Sequence, residues 1–293
     1  MTPTGSTLPR RMLGRQLREL RVNSGVSAEV AREAIGVGKQ TLWRMETGQP
    51  VRLNPLLIEG LCKVYGASED VTNILLGLTE EASRTGWWHA YGDAIPKHFD
   101  LFVGLETAAK QIFSYQTTLL PGLLQTDEYR RALIWVDFPT MSSEEVERRI
   151  ELFNLRKARL SSRPTPLILD ATVDESALRR AIGGPAVMSD QLRNLGKAAE
   201  RPNISIRVVP LGADAYCGLR VGTFVMLKFP THPTAHLTEP PVIYMQGLTG
   251  ALYLEKTEEV QQYRQAYADI QRSALDETQS RSLILEIARE YAP

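Results

Sequence analysis

The 293-residue chain has only two cysteines, Cys62 and Cys217, far apart and in unlike contexts. That argues against the disulfide framework of a secreted domain, and the expected compartment is the cytoplasm. Cys62 falls in an apolar helical pattern and reads as a small core residue. No apolar run approaches the ~20 residues needed to span a bilayer. The opening MTPTGSTLPRR has no apolar segment of signal-peptide kind and reads as a polar arm over residues 1–9. Histidine is scarce: His89, His98, His232 and His236 are the four. The last two are four apart, but Pro233 and Pro240-Pro241 break the helix that a metal-binding pair would need, and no third ligand stands near. IGGPA lacks the spacing and the lysine of a phosphate loop. No nucleophile stands beside a base, and no segment repeats. The expectation is a protein without cofactor, metal or catalytic centre. Asp170, Asp174 and Glu175 could cluster for magnesium chemistry. The favoured reading is that Asp174 caps a helix and Glu175 occupies its first turn.

Net charge is also missing, at zero with a pI near 6.9. The balance conceals an asymmetry. Residues 10–52 hold nine basic and four acidic residues, an excess of five positive charges that the rest of the chain must cancel. A basic head for nucleic acid and a body with another task fit that division, although a solvated charged face would look similar.

Hydrophobic residues make up 43% of the chain, enough for two domains at this length. The expected fold is an all-α N-terminal helix-turn-helix domain of five helices over residues 10–84, then a mixed α/β domain over 85–293. Leu13, Leu17 and Leu20 mark the inner face of the first helix. Ser27 starts the second, and Gly36 stops it. Lys39 to Glu46 form the third. Asn54, Pro55 and Gly66 bound the fourth, and Ser68 caps the fifth. Beyond Thr85, helical patterns near 104–117, 126–136, 143–162, 187–200, 256–275 and 279–291 alternate with the β-branched runs PLILDA, ISIRVVP, TFVMLKF, PVIYMQG and ALYLE.

Two short helices joined by a Gly-bearing turn, GVGKQTLWRMETGQP, are the pattern of a DNA-reading helix pair. At about 100° per residue, Leu42 and Met45 set the inward direction, and Gln40 and Arg44 point away from it. Trp43 and Thr47 fall on the outer side and Lys39 flanks it. Gln suits adenine and Arg suits guanine, with Lys39, Thr41 and the helix N-terminus available for backbone phosphate. Trp43 either stacks on a sugar or thymine methyl, or folds back as filler over the first helix or the second domain.

The run LRELRVNSGVSAEVAREAIGVGKQTLWRMETGQ resembles the phage-repressor-like, or XRE-type, helix-turn-helix family. The resemblance implies that Lys39, Gln40, Trp43 and Arg44 face the major groove, and that Arg21 and Glu46 form a largely buried ion pair. The family often has Gln after the capping residue, touching a phosphate; here Ala28 stands there, so the resemblance leaves the phosphate clamp to Arg11, Arg15, Lys39 and Arg52. The phrases GWWHAYGDAIPKHF, EVERRIELFNLRKARL, RPNISIRVVP and VIYMQGLTGALYLE resemble the C-terminal domain of actinomycete WhiJ-type regulators. That resemblance implies a transcriptional regulator, binding double-stranded DNA as a homodimer, whose second domain senses a small-molecule effector or a partner. The alternative it implies is an antitoxin-like module that controls a small BldB-like protein, with DNA binding serving autoregulation.

In FSYQTTLLPGLLQT, Leu119, Leu120, Leu123 and Leu124 flank Pro121-Gly122. Domain or dimer packing and a ligand mouth are both open. Tyr216 and Cys217 lie in a Gly-bounded loop, which reads either as a plain surface loop or as the lining of a pocket. Trp87, Trp88, Tyr115, Leu120, Tyr216 and Gln246 are the candidate pocket residues; at Gln246 many members of the resembled family carry Glu.

Overall fold

Capping side chains at Ser27, Asn54 and Ser68 set the starts of three helices in the first ninety residues. The structure is a computed structural model that describes residues 7–83, 86–91, 95, 99–232 and 238–292. The first six residues of the expected arm, and His98 and His236, lie outside them. Helix α1 (Leu8–Asn23) has Pro9 in its first turn, where the missing N–H costs nothing. It therefore begins inside the stretch expected as an arm. Helix α2 (Ala28–Ala34) starts where the Ser27 hydroxyl accepts from the Val30 N–H at 3.2 Å. Helix α3 (Lys39–Glu46) follows a turn through Gly36 and Gly38. Asn54 caps α4 (Pro55–Tyr65) by accepting from Leu56 N–H, and Gly66 ends it in the left-handed region at φ 68°. Ser68 caps α5 (Glu69–Ser83) through the Val71 N–H.

These helices enclose one apolar core. Leu13 and Leu17 of α1 meet Ala31 of α2, Leu42 and Met45 of α3, Ile58, Leu61, Cys62 and Tyr65 of α4, and Leu75 and Leu78 of α5. The same compact unit includes α6 (Asp100–Ala108) and, of the described residues in a later connection, 230–232 and 238–239. Helix α1 and the end of α3 approach closely at Gly14. A Cβ on Gly14 would stand 2.4 Å from the Met45 carbonyl oxygen and 2.7 Å from the Gly48 nitrogen. Both obstacles are backbone, so relief requires the helices to part. Gly14→Ala is therefore expected to lower stability by about 1–3 kcal/mol, the range for overpacking. The check is a lowered urea midpoint at unchanged m-value.

The second compact unit is built on a six-stranded sheet. In chain order it comprises β1 (Gln111–Gln116), α7 (Asp127–Asp137), α8 (Ser143–Ala158), β2 (Ile168–Asp174), α9 (Glu175–Leu178) and α10 (Pro185–Ala198). Then come β3 (Ile204–Val209), α11 (Gly218–Val221), β4 (Phe224–Lys228), β5 (Val242–Gly247), β6 (Gly250–Leu254), α12 (Thr257–Ser273) and α13 (Glu277–Glu290). The spatial order is β3-β2-β1-β4-β5-β6. β1, β2 and β3 run parallel, because helices α7–α8 and α9–α10 carry the chain back between them. β4, β5 and β6 are antiparallel, and Leu248-Thr249 closes the last hairpin.

The strand β1 corrects the helix expected near 104–117. Leu105, Ala109, Ile112 and Tyr115 recur at helical spacing with no Gly or Pro between them. Yet α6 ends at Ala108, and pairing with β2 and β4 holds residues 111–116 extended. Ser114 and Tyr115, adjacent and on opposite faces, are both buried, as expected of a central strand covered on both sides.

Tyr115, Phe224, Met226 and Ile243 of the sheet pack with Val260, Tyr267 and Ile270 of α12. Asp170 is held within this packing. Its carboxylate accepts from the Tyr267 hydroxyl at 2.9 Å and from Gln271 Nε2 at 3.1 Å, while burial pushes its pKa up. Asp174 caps α9 by accepting from the Ser176 N–H at 2.9 Å, and Glu175 lies in the first turn.

Candidate nucleic-acid interface

The outer surface of α3 follows from what its inner surface must bury. Leu42 and Met45 are sealed in the bundle core. One turn holds 3.6 residues, so the remaining positions face outward. Lys39, Gln40, Trp43 and Arg44 are exposed, and Thr41 is half-buried. Trp43 keeps 55% of its surface open. The Thr47 hydroxyl donates back to the Trp43 carbonyl at 2.7 Å and tightens the end of the helix. At the other end the N-cap is Gly38, so no side chain satisfies the first-turn amides. Those N–H groups and the positive end of the helix dipole sit beside Lys39.

The cations of the basic head divide into committed and uncommitted sets. Arg10 is buried and donates to the carbonyls of Val51 and Ala82, tying α1 to the loop after α3 and to the end of α5. Burial lowers its pKa. Arg32 pairs with Glu29 and Glu33 on the surface of α2. Arg11 and Arg15 both pair with Glu239, the first at 3.5 Å, and the Glu239 side chain is almost wholly buried. Among the described residues, Arg18, Lys39, Arg44 and Arg52 are exposed and in no ion pair. Neither Gln40 nor Arg44 spends its side chain on an intramolecular hydrogen bond among them. Ala28 is the first residue of α2 and is exposed.

Arg21 and Glu46 form a forked pair, with Nε to Oε1 at 2.6 Å and Nη2 to Oε2 at 2.9 Å. The third guanidinium nitrogen donates to the Val26 carbonyl at 3.4 Å, so the pair also holds the turn between α1 and α2. The hydrogen bond to Glu46 raises the Arg21 pKa further. Nearby, burial first and the Glu46 charge second push the Tyr65 phenol well above its ordinary value. The surroundings of the pair are thus poorly hydrated.

The six candidate pocket residues divide between the two units. Trp87 and Trp88 sit in a single 3-10 turn, Trp87–Tyr91, of the first unit, with rings edge to face at 6.0 Å. In the second unit the Tyr115 and Tyr216 hydroxyls meet at 2.8 Å, and Tyr216 donates to Asp174 Oδ2 at 2.8 Å. Burial pushes the Tyr216 phenol up, and the hydrogen bonds with Tyr115 and Asp174 add to it. Leu120 is buried, its carbonyl accepting from Gln125 Nε2 at 2.7 Å. Gln246 is exposed at the end of β5 and accepts from the Tyr244 hydroxyl at 3.3 Å.

Sequence reasoning missed Glu239, for which no local pattern exists. It treated THPTAHLTEPP only as a histidine pair. It also passed over Lys157, Lys197 and Arg201, which line a cavity in the second unit.

Residues 12–75 match the family model described as a helix-turn-helix domain. Residues 99–286, more than half of the chain, match the domain of unknown function DUF5753, and the chain belongs to that family. No curated protein and no solved structure matches it. The helix-turn-helix domain points to a DNA-binding transcriptional regulator rather than an enzyme. Among the described residues, no helix is long and apolar enough to cross a membrane. No group of three or more His, Cys, Asp or Glu among them is placed to hold a metal ion.

Proposed function

We propose that the protein is a sequence-specific regulator of transcription that inserts α3 into the major groove of double-stranded DNA. Gln40 and Arg44 read base edges, Lys39 and Thr41 anchor the helix on phosphate, and Trp43 covers a sugar or a thymine methyl. Arg52 holds the flanking backbone. Arg15 contributes only in competition with Glu239, which already binds its guanidinium. The chain acts as a homodimer on half-sites about 34–36 Å apart, or a multiple of that. On the resemblance of its phrases we group it with the XRE-like, WhiJ-type regulators of actinomycetes. Residues 10–84 form the DNA-binding part, and 85–293 the part that senses an effector and supports dimerisation.

The observation that supports this reading is the exposed, donor-rich face of α3, whose four outer side chains are not used to hold the fold. A bound site is first obtained by genome-wide footprinting. Arg44→Ala is then titrated against that site and its single-base variants in mobility-shift assays. The expected result is a loss of about 1–3 kcal/mol of discrimination at one base pair. Wild-type discrimination in the variant would overturn the docking.

A further inference from the structure

The second unit contains a cavity of about 400 Å³ between the C-terminal ends of α8 and α10 and the turn at Gly122–Leu124. Its volume falls in the ordinary range for small-ligand sites, roughly 300–1,000 Å³. Its wall has two parts. Leu124, Leu160 and Ile204 supply an apolar floor. Lys157, Lys197 and Arg201 stand on the same wall, and no acidic residue lines it. The three cations are not equally engaged. Lys157 shares its charge with Asp127 at 3.3 Å, from outside the cavity wall. Arg201 is oriented by the Leu160 carbonyl and by the Ser161 hydroxyl at 2.9 Å, contacts that fix its direction without neutralising it. Among the described residues Lys197 has no hydrogen-bond or ion-pair partner, and the neighbouring Glu200 is taken by Arg281.

Of the three cations, Lys197 and Arg201 are in no ion pair among the described residues, and an anion placed beside them is attracted by charge that no carboxylate balances. A short apolar body on the same molecule covers the small part of Leu124, Leu160 and Ile204 that the cavity leaves open. At ~30 Å³ per water-sized group, the space admits about a dozen such groups.

We propose that this cavity is a binding site for a small organic anion, a carboxylate or phosphate carried on an apolar body. The chemistry of the ligand follows from the cavity alone. That the anion serves as the effector of transcription rests on the DNA-binding reading above.

The test is isothermal titration calorimetry of the full-length protein, without DNA, against octanoate, octyl phosphate and 1-octanol. At least one of the two anions is expected to bind at one site per chain, about tenfold or more tighter than the alcohol; the stronger of the two identifies the headgroup. Lys197→Ala is expected to weaken that anion about fivefold, as for a partly exposed ion pair, and Lys197→Glu by tenfold or more, with octanol binding unchanged. Lys197 is exposed and makes no contact that the fold needs, so both variants should retain the wild-type circular dichroism spectrum. Equal binding of alcohol and anions, unchanged anion binding in Lys197→Glu, or no binding of either anion would overturn the site. Anion binding that persists while footprinting finds no DNA site would keep the site and remove only its role as an effector pocket.

Discussion

Replacing Arg21 with alanine is expected to lower the stability of the helical bundle by about 3 kcal/mol. The Arg21 side chain is 17% exposed and that of Glu46 8%, and two parallel hydrogen bonds join them. The substitution leaves the Glu46 carboxylate charged and poorly hydrated beside the Tyr65 phenol, which its field already disturbs. Removing one partner of a buried pair costs about 3–5 kcal/mol. The lower end applies here because Arg21 still reaches water. The loss of the Val26 contact should also loosen the α1–α2 turn. Urea unfolding measures the effect. A double-mutant cycle with Glu46→Ala assigns it to the pair if the two losses fail to add. Arg21→Met combined with Glu46→Leu should recover most of the stability, because an apolar pair avoids the desolvation cost. An unchanged midpoint in Arg21→Ala would mean that the fork contributes nothing.

How far this architecture was legible in the sequence depends on the distance over which each feature is decided. Ser27, Asn54, Gly66 and Ser68 mark helix ends through bonds to residues two to four positions away, and Pro55 by the N–H it lacks, so local chemistry suffices. The inner face of α3 was legible for the same reason, since Leu42 and Met45 orient the helix by spacing alone. Five strands announced themselves as short apolar runs, most of them β-branched. The sixth, QIFSYQ, did not. Its apolar residues recur at helical intervals, and only pairing with two strands more than fifty residues downstream selects the extended form. The cavity was invisible for a related reason. Lys157 and Lys197 lie on separate amphipathic helices, where a cation ordinarily means a solvated face, and only packing turns them toward one apolar floor. The leucines around Pro121-Gly122 gave a partial hint, since Leu123 and Leu124 do line it.

The least legible feature carries the last prediction. Glu239 lies 224 residues from Arg15, in a proline-flanked connection between β4 and β5, and no local pattern links the two. Sequence alone makes Arg11 and Arg15 look like cations available to phosphate. In the folded chain one carboxylate binds both. Glu239→Gln keeps the shape of that side chain and removes its charge, with two expected consequences. Stability falls by about 2 kcal/mol, because hydrogen bonds to a charged acceptor are worth roughly 1.5–3 kcal/mol each and the amide replaces them only in part. DNA binding becomes more salt-dependent, because the carboxylate charge that competes with phosphate for both guanidinium groups is gone. Each added phosphate contact steepens the logarithmic salt slope by about 0.9, so the two together steepen it by nearly two units. Between 50 and 200 mM salt that amounts to a further tenfold loss of affinity, roughly, with tighter binding at the low-salt end. Mobility-shift titrations across that range, on an arbitrary duplex and on the operator alike, measure the slope. If the variant loses stability but keeps the wild-type slope, Arg11 and Arg15 face away from the duplex. The electrostatic hold on DNA would then rest on Arg18, Lys39, Arg44 and Arg52.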